Sequence, residues 1–487
     1  MVEKITVAGV SVDTRHWIGG RRVASGATFT DTSPIDGSVI GEIARGGPAE
    51  AEAAVAAARA AFPAWAATPR AERARILHAI ADGVEKRIEE LAVVETTDNG
   101  ALLRSHRRGV MPRVAHNFRF FADWLLTLDH EDFETRGHTN HVSWEPAGPC
   151  VLITPWNAPL MLATWKVAPA LAAGDTVVLK PAEWSPLTAS LLADIAAEAG
   201  LPAGVLNVVQ GHGAEIGDAL TSHPDVRRIS FTGSVPTAQR IAASAAAHLT
   251  PLSLELGGKS PLLVFADADL ELAVDLAVEQ YDNAGQVCLA GTRLLVEETV
   301  AEEFTRRFVA KAGQLTQGDP RDEATDIGPN IHPRQLEKID GFVRRAVAAG
   351  ARAVIGGHRE DGQYYAPTLL TDVAQDSEIV QEEVFGPVLT LQTFADEDEA
   401  VRLANDTRFG LAATVATSDK ERARRVTEQL VAGTVWVNCF FVRDLQAPFG
   451  GSRHSGVGRE GGTWSFDFYC DLKNTVTAPN GWSRSHG

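Results

Sequence analysis

The chain has 487 residues, 45% hydrophobic and 22% charged, with 43 glycines, a globular mix too long for one ordinary core and sized for two or three domains. Its 45 basic against 63 acidic residues leave a net charge of −18, which argues against a nucleic-acid partner, since phosphate contacts call for a basic face. Four cysteines (Cys150, Cys288, Cys439, Cys470) without CxxC spacing or a nearby histidine pair give no sign of a disulfide framework or a metal site.

From the N-terminus, which lacks an apolar signal core, short strands over WIGGRRV, FTDTSP and SVIGEIA give way to helix at Pro48. The segments EAEAAVAAARAAFPAW and ERARILHAIADGVEKRIEEL carry apolar residues at helical spacing, and a further helix is expected from Val110 to Leu128. From Cys150 the runs VLITPW, TVVLKP, VLNVVQ, RRISFTG and LSLELG alternate with helical segments. Continuous apolar strands separated by helices indicate a parallel sheet covered on both faces. A second series follows in LLVF, RLLVEE, VLTLQTF, LAATVAT and GTVWVN, with the break near Gly257-Gly258. The expected fold class is α/β, with two open parallel-sheet, Rossmann-like domains and a ligand cleft at their strand ends. The most apolar stretch, Pro149 to Leu179, is broken by Pro155, Asn157, Lys166 and Asp175, which argues against a membrane span. A cytoplasmic protein is expected.

Several segments carry chemistry. In TPWNAPL, Asn157 offers a neutral amide donor next to a proline-fixed turn, suited to an oxyanion but equally to ordinary turn chemistry. KPAEWSP sets Lys180 and Glu183 just after a strand. GHGAEIG, residues 211 to 217, looks like a dinucleotide fingerprint with the wrong spacing. RISFTGSVPTAQ passes from strand to helix through Gly233 and Ser234, a helix start that suits a phosphate or is simply an N-cap. Glu255 in LELGGKSP ends an apolar strand, so its carboxylate should face the cleft, with a raised pKa fit for a general base; a helix-capping role is the alternative. Cys288 in GQVCLAGTR lies on a glycine-flanked loop after a helix ending near Tyr281. There a thiolate can attack a carbonyl, although a lone cysteine is commonly just a small buried residue.

Taken together, TPWN, KPAE, FTGS, LELGGKSP, GQxCxAG and EEVFGPV, in that order, resemble the aldehyde dehydrogenase superfamily from about Trp17 to about Val476. The resemblance implies NAD-dependent oxidation of an aldehyde to a carboxylic acid through a thiohemiacetal and thioester on Cys288. Glu255 would be the base, Asn157 the oxyanion donor with the Cys288 N–H, and Glu460 an acid assisting proton movement. Cofactor residues would be Thr154, Trp156, Lys180, Glu183, Gly213, Gly233, Ser234, Glu383 and Phe385. Glu183 would favour NAD over NADP by repelling a 2′-phosphate. The implied division is a NAD-binding domain over 1–127 and 147–256 and a catalytic domain over 257–455. An oligomerisation element over 128–146 and 469–487 would build a homodimer or homotetramer. The chain departs from the pattern at Ala238, where many members have glycine, at Thr292, where serine is commoner, and at Trp184, which is bulky.

PRVAHNFRFF and WVNCFFVRDLQAPFGG resemble the hydroxymuconic semialdehyde dehydrogenase group within that superfamily, whose aldehydes also carry carboxylates. Arg113 and Arg443 would then face substrate, with Phe121 beside them, because guanidinium grips a carboxylate in bidentate fashion. The alternatives are that Arg113 pairs with a helix neighbour and Arg443 with Asp444. A dehydrogenase of neutral aromatic or aliphatic aldehydes, with Phe120, Phe121, Trp124 and Phe441 around the ring, is the other substrate reading. Acyl transfer to coenzyme A and an inactive structural homologue are further alternatives, against which Glu255 and the intact Cys288–Glu255–Asn157 set respectively argue.

Overall fold

The computed structural model describes residues 3–482. Residues 1–2 of the expected NAD-binding segment and 483–487 of the expected oligomerisation segment lie outside the described residues. Two sheets dominate. The first has eight strands in the order Gly456–Val457, Leu252–Leu256, Arg228–Gly233, Pro149–Ile153, Thr176–Lys180, Leu206–Val208, His16–Ile18 and Arg21–Val23. The middle five run parallel, while Gly456–Val457 and His16–Ile18 join antiparallel at either side. The chain enters at Pro149–Ile153, builds outward to one side, then returns to lay down Arg228–Gly233 on the other. That makes a topological switch point, and the crevice beyond the strand ends there is where open α/β sheets bind ligands.

The second sheet has seven strands in the order Arg352–Ile355, Thr368–Thr371, Val388–Phe394, Arg293–Glu297, Pro261–Val264, Ala412–Ala416 and Thr434–Val437. All but Arg352–Ile355 are parallel to their neighbours. The chain leaves the first sheet at Leu256 and enters the second at Pro261, so Gly257-Gly258 stands in the crossing. Helices cover both sheets. Pro159–Ala173 shows why: all but two of its residues are buried, because it runs between the first sheet and the helices Arg70–Lys86 and Met111–Thr127. A small third sheet pairs Glu131–Thr135 and Cys470–Thr477 on either side of His138–Pro146, all antiparallel.

One element goes beyond the sequence reading, and one reading needs correction. The N-terminal stretch forms a hairpin, Lys4–Val7 with Val10–Asp13, whose alternating Val7 and Val12 are buried; the alternation is present in the sequence but short. The helix before Cys288 ends at Val278, and Glu279–Gly285 is an irregular turn in which Asn283 and Ala284 take positive φ of 50° and 55°. Gly285, which ends this turn, packs so closely that a Cβ on it would fall 2.2 Å from the Gly386 carbonyl oxygen.

Candidate active site

The loops that follow the strands of the first sheet bring the sequence motifs to one crevice. Asn157 stands after Pro149–Ile153, Glu183 after Thr176–Lys180, Ser234 after Arg228–Gly233, and Glu255 within Leu252–Leu256. Cys288 faces them from the loop ahead of Arg293–Glu297 in the second sheet. Cys288, Asn157 and Arg443 line an inner chamber of about 140 Å³ with Val287, Leu289 and Met161. This opens into an outer chamber of about 550 Å³ bounded by Arg104, Arg108, Arg113, Asn117, Trp165 and Arg443. Ser105, Val110, Met161, Leu162, Phe441 and Arg443 belong to both, so the two form one tunnel.

Enclosure decides the electrostatics of this tunnel. The Cys288 sulfur opens onto the chamber, yet protein surrounds it. Desolvation first, and then the Glu383 and Glu255 charges, push its thiol up to about 12 against the opposing charge of Arg443. A charged Glu255 therefore disfavours the thiolate. The Asn157 side-chain amide donates to the Gln286 carbonyl at 2.8 Å, and Asn283 donates to the Asn157 carbonyl at 3.0 Å. Asn157 is thus held against the cysteine loop through its own amide.

Glu255 is 5% exposed, and neither carboxylate oxygen has a hydrogen-bond partner. It does not line the chamber surface but stands behind it against Gly450, where a Cβ would come within 2.7 Å of its Oε1. Burial raises its pKa well above the usual carboxylate range, and the Glu460 charge adds to this, against Lys166, Arg443 and Arg459. Glu460 is itself fully engaged at one oxygen: Lys166 Nζ donates at 2.7 Å, and Ser230 and Ser253 hydroxyls at 3.1 Å. In the sequence Lys166 stands out only as a break in an apolar run. A lysine inside an otherwise apolar helix was the available signal, since buried charges are nearly always paired.

The proposed cofactor residues spread along the crevice. Lys180 is buried, donates to the Pro181 carbonyl at 2.9 Å, and lies 3.6 Å from Glu183; desolvation lowers its pKa against the pull of Glu183. Ser234 is exposed at the start of the helix Val235–Ala245, beside Gly233, and donates to the Thr237 hydroxyl at 3.0 Å. Gly213 opens another helix, Gly213–Thr221. Thr154 is buried at the strand end, while Trp156 is partly exposed and meets Phe385 edge-on, ring centroids 5.2 Å apart. Glu383 accepts from the Gly258 N–H at 3.0 Å, and a Cβ on Gly257 would overlap its carboxylate at 2.0 Å. That glycine leaves the carboxylate its place. Phe385 holds a positive φ of 60°, as Phe441 does at 59°; with Asn283 and Ala284, four non-glycine residues near the cysteine loop sit in a costly backbone region, a pattern typical of functional sites.

Of the expected substrate residues, Arg113 and Arg443 come together in the outer chamber. Neither forms an ion pair among the described residues. Arg113 meets its helix neighbour Asn117, a neutral acceptor, at 3.3 Å. Arg443 leaves Asp444 to the Gln446 N–H and stacks on Phe449, 3.6 Å from the ring centroid, with Trp165 at 5.2 Å. Desolvation lowers the pKa of both, that of Arg443 to about 10, and Arg113 contributes to the effect on Arg443. Phe121 is corrected. It is fully buried behind Trp165, packed on that ring and on Phe466, and lines neither chamber. Two helical turns, about 12 Å, separate it from Arg113, which carries it past the tunnel into the core. Phe120 and Trp124 likewise stand off the chamber, and only Phe441 of the expected ring-binding group lines it.

Comparison with known proteins agrees over nearly the whole length. The pattern of the aldehyde dehydrogenase family matches residues 22–475. The chain is 43% identical over 461 residues to 5-carboxymethyl-2-hydroxymuconate semialdehyde dehydrogenase of Escherichia coli, covering 92% of this chain and 98% of that protein. It is 45% identical over 479 residues to 2-hydroxymuconic semialdehyde dehydrogenase of Pseudomonas sp. (strain CF600), covering 94% and 98%. Among solved structures, betaine aldehyde dehydrogenase from Staphylococcus aureus in complex with NAD+ superposes with a TM-score of 0.95 at 37% identity, covering 98% of this chain and 97% of that one.

Proposed function

The chain belongs to the aldehyde dehydrogenase family, and from that premise we propose that it oxidises a carboxylated semialdehyde, of the kind its muconic relatives are named for, to the acid with NAD. The observation that carries the substrate class is the pair of arginines, Arg113 and Arg443, in the outer chamber without a carboxylate partner. A guanidinium drawn partly out of water without a carboxylate partner is one that an anionic ligand can complete.

In this reading the Cys288 thiol gives up its proton to water and attacks the aldehyde carbon as the thiolate, and the oxygen that becomes negative is met by the Cys288 N–H and by the Asn157 amide, which exchanges its bond to Gln286 for the stronger charged one. NAD, when bound, accepts the hydride released as the thiohemiacetal becomes a thioester. Residues able to hold it fit the group: Ser234 and Gly233 at an exposed helix start for the pyrophosphate, Lys180 and Glu183 for one ribose, and the enclosed Glu383 for the other. Thr154, Trp156, Gly213 and Phe385 complete the groove. Glu255 then takes a proton from water as it attacks the thioester. Burial beside Glu460 gives Glu255 the proton affinity a base needs. Lys166 holds Glu460 in position.

We assign residues 1–127 and 147–256 to NAD binding and 257–455 to catalysis, with 128–146 and 469–487 joining copies of the chain in a cytoplasmic homo-oligomer. No helix among the described residues is long and apolar enough to cross a membrane. The test is a substrate panel with parent, Arg113→Ala and Arg443→Ala proteins. A charged hydrogen bond contributes about 2 kcal/mol, so each change should lower kcat/KM for a carboxylated semialdehyde by about thirtyfold while sparing benzaldehyde. Parent protein preferring benzaldehyde would remove the substrate class and favour the neutral-aldehyde alternative.

A further inference from the structure

Four aromatic rings form a continuous row across the cleft between the two large sheets. Phe385 stands edge-on to Trp156, the Trp156 ring lies 6.0 Å from Trp184, and Trp184 stacks on His332 at 4.4 Å with 6° between the planes. Trp156 and Trp184 come from loops of the eight-stranded sheet. Phe385 and His332 come from the unit built on the seven-stranded one. The row thus crosses the cleft twice, once at Phe385–Trp156 and once at Trp184–His332.

The second wall is held firmly. His332 caps the helix Pro333–Ala348, its Nδ1 accepting the Arg334 N–H at 3.1 Å, which fixes the ring. One turn along, Gln335 donates to the Phe385 carbonyl at 2.7 Å. The preceding Ile331 N–H donates to Gln286 Oε1 at 3.0 Å, two residues before Cys288. The contacts therefore close into a circuit: helix start, Phe385, Trp156, Trp184, His332. Neither Trp184 nor His332 is buried in a core. Both are partly exposed and border a cavity of about 160 Å³ with Glu183, His212 and Arg334.

We infer that Trp184 and His332 form a clasp across the cleft mouth that retains the bound dinucleotide and slows its release. The inference rests on the reading that this cleft takes NAD. A dinucleotide held between Lys180–Glu183 on one wall and Glu383 on the other cannot leave while a ring pair joins the walls beside Glu183. Parting the stack adds to the dissociation barrier without touching the reacting carbonyl, so retention changes and bond chemistry does not.

The experiment is stopped-flow fluorescence of NADH dissociation from the full-length protein, with NADH titrations for Kd. Trp184→Gln removes one ring. His332→Asn removes the other and keeps a side chain able to cap the helix. Each should release NADH about threefold to tenfold faster, the scale of a stacked aromatic pair. The double variant should be no faster than the faster single one, because both remove the same contact. Trp184→Phe should restore much of the slow release. Two ring-removing variants with parent off-rates, or Trp184→Phe as fast as Trp184→Gln, would overturn the clasp. If Trp184→Gln fails to fold, His332→Asn decides alone. A parent that does not bind NADH removes the cofactor reading and the clasp with it, whereas parent binding with unchanged variants removes the clasp alone.

Discussion

Glu255 is a buried carboxylate without a hydrogen-bond partner in the protein, and its chemistry follows from that isolation. Burial favours the neutral acid, so the base form develops at higher pH than in an exposed carboxylate. Thioester hydrolysis should therefore climb with pH as the base form grows. Cys288, pushed up to about 12, gives acylation the same direction, so a simple pH–rate profile cannot separate the two residues. Pre-steady-state kinetics can. Glu255→Gln should keep a single-turnover NADH burst and lose at least tenfold in the steady state, since general bases contribute on the order of 10² or more. Equal loss in both phases would point to another base. The same scale explains why Phe121 and Arg113 part company: they share one helix, but only a residue near its tunnel end meets the chamber.

The helix Ile88–Asn99 shows how one element positions two functional loops. Glu95 Oε2 accepts from the Leu160 N–H at 3.2 Å and the Thr188 hydroxyl at 2.7 Å, and Asp98 Oδ2 accepts from the Leu187 N–H at 3.0 Å. These are the starts of the helices that follow the Asn157 loop and the Glu183–Trp184 loop. Carboxylates suit helix N-termini, yet complete burial raises Glu95 from 4.5 to about 7. The sign for stability follows by linkage. The native state binds this proton more tightly than the unfolded chain, so the protonated acid stabilises the fold at low pH. That contribution falls as pH rises from about 4.5 through about 7. Asp31 and Asp175, both raised to about 7, act in the same direction. Glu95→Gln keeps an acceptor but cannot ionise, so its melting temperature should fall less steeply than the parent's across that interval. Parallel Tm–pH curves would refute this account.

At the scale of the whole molecule, the small sheet is the exception to a well-buried fold. Glu131–Thr135 is exposed along its length, and Cys470–Thr477 is exposed after its first residue, with Phe133, Leu472 and Val476 half or more open to solvent. A thin sheet with apolar residues and free edges is unstable alone and tends to pair with another chain. Light scattering on the parent should give a multiple of the 52.0 kDa chain. Leu472→Asp with Val476→Asp should shift it towards the monomer with little change in the secondary structure seen by circular dichroism. A monomeric parent would remove the proposed self-association.

Much of this protein is local in origin and therefore legible from residues in order. Apolar strands alternating with helices dictate two parallel sheets, and motif order alone reaches the family, because each motif needs only its own strand end and turn. The gathering of Cys288, Asn157 and Glu255 follows once parallel strands aim their ends at one crevice. What the sequence could not reveal depends on partners far along the chain. Lys166 and Glu460 lie 294 positions apart and meet only through packing. Whether Arg113 and Arg443 pair with neighbours or open onto a chamber depends on which carboxylates packing leaves within reach. The sign of the Glu255 effect on Cys288, the displacement of Phe121 into the core, and the Trp184–His332 stack are set by distance and enclosure. Those are properties of the packed molecule, since desolvation and through-space charge have no meaning until the surrounding atoms are in place.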